Sequence, residues 1–93
     1  MITSFKCRDT EKIFRRESTR RFPPALQVRA FMRLNQLAAA LHLDDLRLPP
    51  SNRLEALKGR RKGQYSIRIN DQWRVCFVWH GDGAANVEIV DYH

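Results

Sequence analysis

Ninety-three residues are enough for one domain and too few for two independent cores. Hydrophobic residues at 43% exclude a disordered tail, and no run approaches the ~20 apolar residues of a membrane helix. Seventeen Lys+Arg against ten Asp+Glu give a net charge of +7, which points to a polyanionic partner, nucleic acid ahead of membrane because no basic amphipathic helix is evident.

Arginine carries most of that charge, since the lysines are only Lys6, Lys12, Lys58 and Lys62. Its planar fork of donors matches phosphate oxygens bidentately, whereas lysine is a solvated point charge. Cys7 and Cys76 lie far apart without metal-ligand spacing. They are expected to be reduced thiols in a cytoplasmic protein, and neither metal nor cofactor is expected. The opening Met1-Ile2-Thr3-Ser4-Phe5-Lys6 lacks the basic start and apolar run of a secretory leader.

In chain order, residues 1–6 set Ile2 and Phe5 among small polar residues and read as a short strand. Asp9 or Thr10 can cap a short helix that carries Ile13 and Phe14 and ends near Glu17. Ser18-Thr19-Arg20-Arg21 has no periodicity and reads as a loop. Pro24 suits a first helical position, and Leu26, Ala30, Phe31, Leu34, Leu37, Ala38 and Leu41 then recur at helical spacing. Gln27, Arg29, Arg33 and Gln36 fall on the other side, so the apolar stripe is core and needs no partner helix. His42 ends this helix, where a cation suits the dipole. Asp44-Asp45-Leu46-Arg47 reads as a turn or short helical piece, closed by Pro49-Pro50.

Residues 52–63 are the most basic segment: Arg53, Lys58, Arg60, Arg61 and Lys62 stand against the single acid Glu55. Gly59 and Gly63 bracket the cluster and mark it as loop. A run like this is often no more than a solvated loop, but this one feeds directly into the sheet. From Gln64 onward the period is two: Tyr65, Ile67 and Ile69 alternate with polar residues, then Trp73, Val75, Phe77 and Trp79 do so. His80-Gly81-Asp82-Gly83 is a turn, and Val87 and Ile89 belong to a last strand. The predicted fold is a single α+β domain over 1–93, in the order β-α-α-β-β-β. Its helices pack on one face of a small, mainly antiparallel sheet.

Register then locates a candidate site. A three-residue loop over Asn70-Asp71-Gln72 pairs Ile69 with Trp73, Ile67 with Val75 and Tyr65 with Phe77, which separates apolar from polar faces cleanly. The same register sets Arg68 directly across from Arg74, on the face that the helices leave open. Like charges so placed are destabilising, and an RNA phosphate between them would relieve the repulsion. Glu88, Val90 and Tyr92 share that face. Incidental arginines on a solvated sheet are the plainer reading, but the basic loop beside them makes a continuous electropositive surface.

Three stretches together carry a family resemblance: Asn52 to Gly59 (Asn-Arg-Leu-Glu-Ala-Leu-Lys-Gly), Gln64 to Phe77 (Gln-Tyr-Ser-Ile-Arg-Ile-Asn-Asp-Gln-Trp-Arg-Val-Cys-Phe) and Val87 to His93 (Val-Glu-Ile-Val-Asp-Tyr-His). The ordered set resembles the HigB-type branch of the RelE toxin superfamily, over essentially the whole chain. The resemblance implies the toxin half of a toxin–antitoxin pair with a microbial-RNase-like α+β fold. It implies cleavage of mRNA in the ribosomal A site, and a helix-turn-helix antitoxin that neutralises the toxin and represses the operon. DNA would then be reached only through the antitoxin. By the same resemblance, Lys58, Arg68, Arg74, Asp91, Tyr92 and His93 match active-site positions, and Glu55 stands where some members carry a histidine.

The chemistry fits those residue types. Metal-free RNA cleavage drives the 2′-hydroxyl onto the adjacent phosphorus and expels the 5′-oxygen. That requires a proton acceptor, a proton donor and cations for the charge building on the phosphate. Arg68 and Arg74 can supply the cations, with Lys58 adding to them, while Arg53, Arg60, Arg61 and Lys62 grip the RNA. His93, with an unperturbed pKa near 6.5, can accept or donate a proton, and a terminal carboxylate favours its charged form. Tyr92 can stack on a base or orient the 2′-hydroxyl. Asp91 or Glu55 can serve as base or orient a partner. A terminal histidine is ordinarily a frayed end, but the strand pattern here runs up to Tyr92. The rival readings are a non-catalytic RNA- or ribosome-binding module using the same face, and a DNA-binding repressor, against which stands the lack of a helix-turn-helix pattern.

Overall fold

The period-two stretches form an antiparallel sheet in the order β1-β2-β3-β4, with β1 at Glu55–Ala56, β2 at Tyr65–Arg68, β3 at Trp73–His80 and β4 at Gly83–Asp91. Two helices precede it, α1 (Arg8–Phe14) and α2 (Pro24–Ala39), with 3-10 turns at Leu43–Arg47, Pro50–Asn52 and Gly59–Arg61. The structure, a computed structural model, describes residues 1–92, and His93 lies outside the described residues. No helix among these residues is long and apolar enough to cross a membrane.

The core lies between the helices and one face of the sheet. Leu26, Ala30, Leu34 and Leu37 of α2 meet Ile67, Ile69, Val75, Phe77, Val87 and Ile89. Pro24 opens α2, since its missing amide falls where a helix has no intrahelical acceptor to offer. The predicted stripe overran at both its edges. Phe31 is only half-buried at the margin of the core, with the Arg16 guanidinium 4.7 Å from its ring centroid. Leu41 is 62% exposed, since the helix stops at Ala39. His42 therefore lies beyond the helix. The Asp45 carboxylate accepts from the His42 and Leu41 amides at 3.0 Å each, and those bonds hold it below the usual carboxylate range.

The expected caps of α1 are employed elsewhere. The N-cap is Cys7. Thr10 is fully buried and its Oγ1 accepts from the Ile89 amide at 3.0 Å, which docks the helix on β4. Asp9 accepts from the Thr19 hydroxyl at 2.6 Å and stands 3.8 Å from Arg21, which ties down the loop after the helix.

Residues 1–6, expected as a strand, make two isolated parallel bridges to β4, Ile2 with Ala84 and Phe5 with Val87. The approach is close: a Cβ added at Gly83 would stand 2.8 Å from Thr3 Cγ2. Regular pairing is broken by an extra residue in β4, Asn86, whose φ is 53°. Across from it the β3–β4 register shifts between Cys76 and Val78. The bulge keeps both Ala84 and Val87 in the core although they are three residues apart. Conversely, the basic segment expected to be loop contains β1, where Glu55 pairs with Ser66 and Ala56 with Tyr65.

Candidate functional site

The predicted hairpin register holds: Tyr65 faces Phe77, Ile67 faces Val75 and Arg68 faces Arg74. The Asn70 side chain makes the turn, its Oδ1 accepting from the Gln72 and Trp73 amides at 2.9 and 2.8 Å. The polar side of the sheet therefore presents two cross-strand rows. One runs Glu55, Ser66, Cys76, Glu88 and the other Arg68, Arg74, Val90. Tyr92 follows at the end of β4, its amide donating to the Gln72 carbonyl at 2.6 Å.

Arg74 is the most enclosed charged residue of this face, at 9% exposure. Its Nε donates to Ser66 Oγ at 2.7 Å, and a terminal nitrogen donates to the Arg53 carbonyl, also at 2.7 Å. Glu55 stands 3.9 Å away, and the Tyr92 ring centroid lies 5.8 Å from the guanidinium carbon, within cation–π range. The Arg53 carbonyl reaches Arg74 because Arg53 is left-handed (φ 46°, ψ 56°) at the end of the Pro50–Asn52 turn. That turn is pinned by fully buried Asn52, whose amide donates to the Leu46 and Leu48 carbonyls at 3.2 and 3.3 Å.

The repulsion foreseen between Arg68 and Arg74 is met within the protein. Arg68 turns to the exposed Asp71 carboxylate at the hairpin end, while Arg74 turns to Ser66, Arg53 and Glu55. The basic loop divides in the same way. Arg61 lies over the sheet, bonded to Gln64 at 3.1 Å and 3.9 Å from Glu88, which also holds Lys6 at 3.4 Å. Lys58, Arg60 and Lys62 are exposed and unpaired among the described residues. Arg53 contributes its backbone.

Of the residues singled out from sequence, Arg68, Arg74, Glu55 and Tyr92 come together on one face. Asp91 does not share it: its register partner is Trp73, a core-packed residue, and Gln72 Nε2 donates to its carboxylate at 3.0 Å. His93 lies outside the described residues. Sequence reasoning missed Ser66 and Gln72, which aim Arg74 and hold the end of β4. Only their places in the alternation and the turn marked them. It also missed Cys76, which burial, with Glu88 adding and Arg61 and Arg74 opposing, pushes above the ordinary thiol pKa.

This face, with an enclosed arginine, a second arginine opposite, an aromatic ring and a carboxylate, suits a phosphodiester. A family model described as "RelE-like toxin of type II toxin-antitoxin system HigB" matches residues 3–93. The chain belongs to this toxin family. It is 38% identical over 94 residues to Toxin HigB-1 of Vibrio cholerae serotype O1, covering 100% of this chain and 98% of that protein. It is 30% identical over 93 residues to Endoribonuclease HigB of Proteus vulgaris, covering 100% of both chains. The α+β architecture, two helices on an antiparallel four-stranded sheet, is the RelE-like fold expected from the sequence. As a HigB-like toxin of a type II pair, the chain has an antitoxin for its partner.

Proposed function

We propose that the chain is an mRNA endonuclease that works on the ribosome in the cytoplasm, held in check by a helix-turn-helix antitoxin. The observation that carries this reading is the Arg68–Arg74 pair facing one another across β2 and β3, with Tyr92 against Arg74. Its support from outside the fold is the family match together with the similarity to a protein named an endoribonuclease.

In the proposed reaction the 2′-oxygen attacks phosphorus and the bond from phosphorus to the 5′-oxygen breaks. A 2′,3′-cyclic phosphate and a free 5′-hydroxyl result. The 2′-proton goes to a base and another proton is delivered to the leaving oxygen. Arg74, preorganised by Ser66 and Arg53, offers its charge to the crowded phosphorane oxygens with little reorganisation, and Arg68 adds a second cation. Tyr92, 39% exposed, presents a ring on which a base can stack. Glu55 is the carboxylate paired with Arg74 and fits the role of base, with His93 as the acid. Asp91, held by Gln72, serves to orient the end of the chain. Lys58, Arg60 and Lys62 add cations along the RNA.

The test is cleavage on translating ribosomes, mapping new mRNA ends for wild type, Arg74→Ala and a chain lacking His93. Wild type should generate ends, and each variant should lose at least about a hundredfold in rate. If wild type binds ribosomes but produces no ends, the face belongs to a non-catalytic RNA-binding module.

A further inference from the structure

Arg29 and Arg33 stand four residues apart on α2, so their side chains share one helix face. Like charges at this spacing repel, and neither makes an ion pair among the described residues. Arg33 reaches beyond the helix: its Nε donates to the Arg68 carbonyl at 2.8 Å. That carbonyl lies past the end of β1, which pairs only with Tyr65 and Ser66. Among the described residues, Arg68 in turn has one acidic partner, the fully exposed Asp71. Three arginines thus follow one another from the sheet face to α2 with almost no compensating charge. Burial, then Arg29 and Arg68, lowers the pKa of Arg33, but a guanidinium stays charged, so the positive potential persists.

We propose that Arg68, Arg33 and Arg29 form a phosphate track that carries a single-stranded RNA backbone from the sheet face, past the free side of β2, onto α2. The inference rests on the RNA reading of that face and extends its footprint. Continuity favours RNA, because the row begins at Arg68, which already faces the proposed scissile phosphate. Chemistry favours it too, since a row of forked donors matches successive phosphates bidentately.

Arg29 tests the track, because it is exposed and its side chain makes no hydrogen bond or ion pair among the described residues. The measurement is affinity of the full chain for 2′-O-methyl oligonucleotides, which cannot be cleaved, of about four and about twelve nucleotides over a salt series. With Arg29→Glu the long oligonucleotide should lose on the order of tenfold in affinity, with a salt slope shallower by about 0.7 per contact, while the short one is unchanged. Unchanged affinity and slope for the long oligonucleotide overturn the track alone, provided the short one still binds. If wild type binds neither, the RNA reading of the face falls and takes the track with it. An equal loss of affinity for polyglutamate of matching charge marks a surface for acidic protein and overturns the proposal as well.

Discussion

A guanidinium set into a sheet has to be held on several sides, and Arg74 shows how. Ser66 is fully buried on the polar side of β2, and its hydroxyl oxygen accepts a hydrogen bond from Arg74 Nε. A hydrogen bond to a charged group contributes about 1.5–3 kcal/mol, and its loss leaves the buried donor unsatisfied. Ser66→Ala should therefore lower the cleavage rate on the order of tenfold or more by loosening Arg74. In an Arg74→Ala background the same change should do little more, and a double-mutant cycle measures the coupling. Additive losses would make Ser66 merely structural. Cys76 lies beside it, with its pKa raised chiefly by burial. The folded state then prefers the neutral thiol. Its contribution to stability is full below the unfolded value of ~8.5 and is lost as pH rises through the folded value. Denaturation midpoints should fall above about pH 8.5 in wild type, and Cys76→Ala should flatten that decline.

At the scale of elements, the site depends on short pieces. β1 is two residues long, and the turn before it holds the carbonyl that anchors Arg74. Asn52→Ala, which removes both bonds pinning that turn, should cost about 1–3 kcal/mol. Calorimetry should show Tm lower by roughly 4–8 °C per kcal/mol, with activity reduced beyond the loss of folded protein because Arg53 no longer presents its carbonyl. These pieces also mark where the sequence was legible. The β2–β3 hairpin could be read to the residue because strict alternation and a three-residue turn leave one register that keeps the charged groups off the helix-covered face. β1 could not, since a two-residue strand has no period and its pairing with Tyr65 and Ser66 is set by tertiary geometry. The caps proposed at Asp9 and Thr10 failed for a related reason: the loop at Thr19 and the β4 backbone claim those side chains. The Asn86 bulge hid because the apolar pattern of β4 changes spacing at that point. For the site, the facing arginines and Tyr92 were visible in the alternation. The separation of Asp91 from Tyr92 follows from the same alternation, which sends neighbours on a strand to opposite faces. The inward turn of Arg61 and the backbone role of Arg53 depend on long-range contacts that no local pattern encodes.

For the molecule as a whole, the net charge of +7 understates how unevenly charge is arranged. Glu88 is half-buried and is shared by Lys6 and Arg61 over one end of the polar face, offsetting part of their charge. At the other end, from Arg74 and Arg68 to Arg33 and Arg29, the acidic partners among the described residues are the exposed carboxylates of Glu55 and Asp71. An arriving polyanion therefore meets an uneven field, and clefts and rows of one sign steer such partners. The small core sets the opposite requirement. A sheet whose second strand outruns its neighbour exposes backbone groups that another chain's strand could zip onto, the usual beginning of edge-to-edge aggregation. Beyond β1 the Arg68 carbonyl would be such a handle, but it is already taken by Arg33. An incoming strand would have to displace a cation to bond there. The arginine that lengthens the basic row thus also works as a gatekeeper, turning aside β-strand addition where β2 runs on past β1 beside the candidate site.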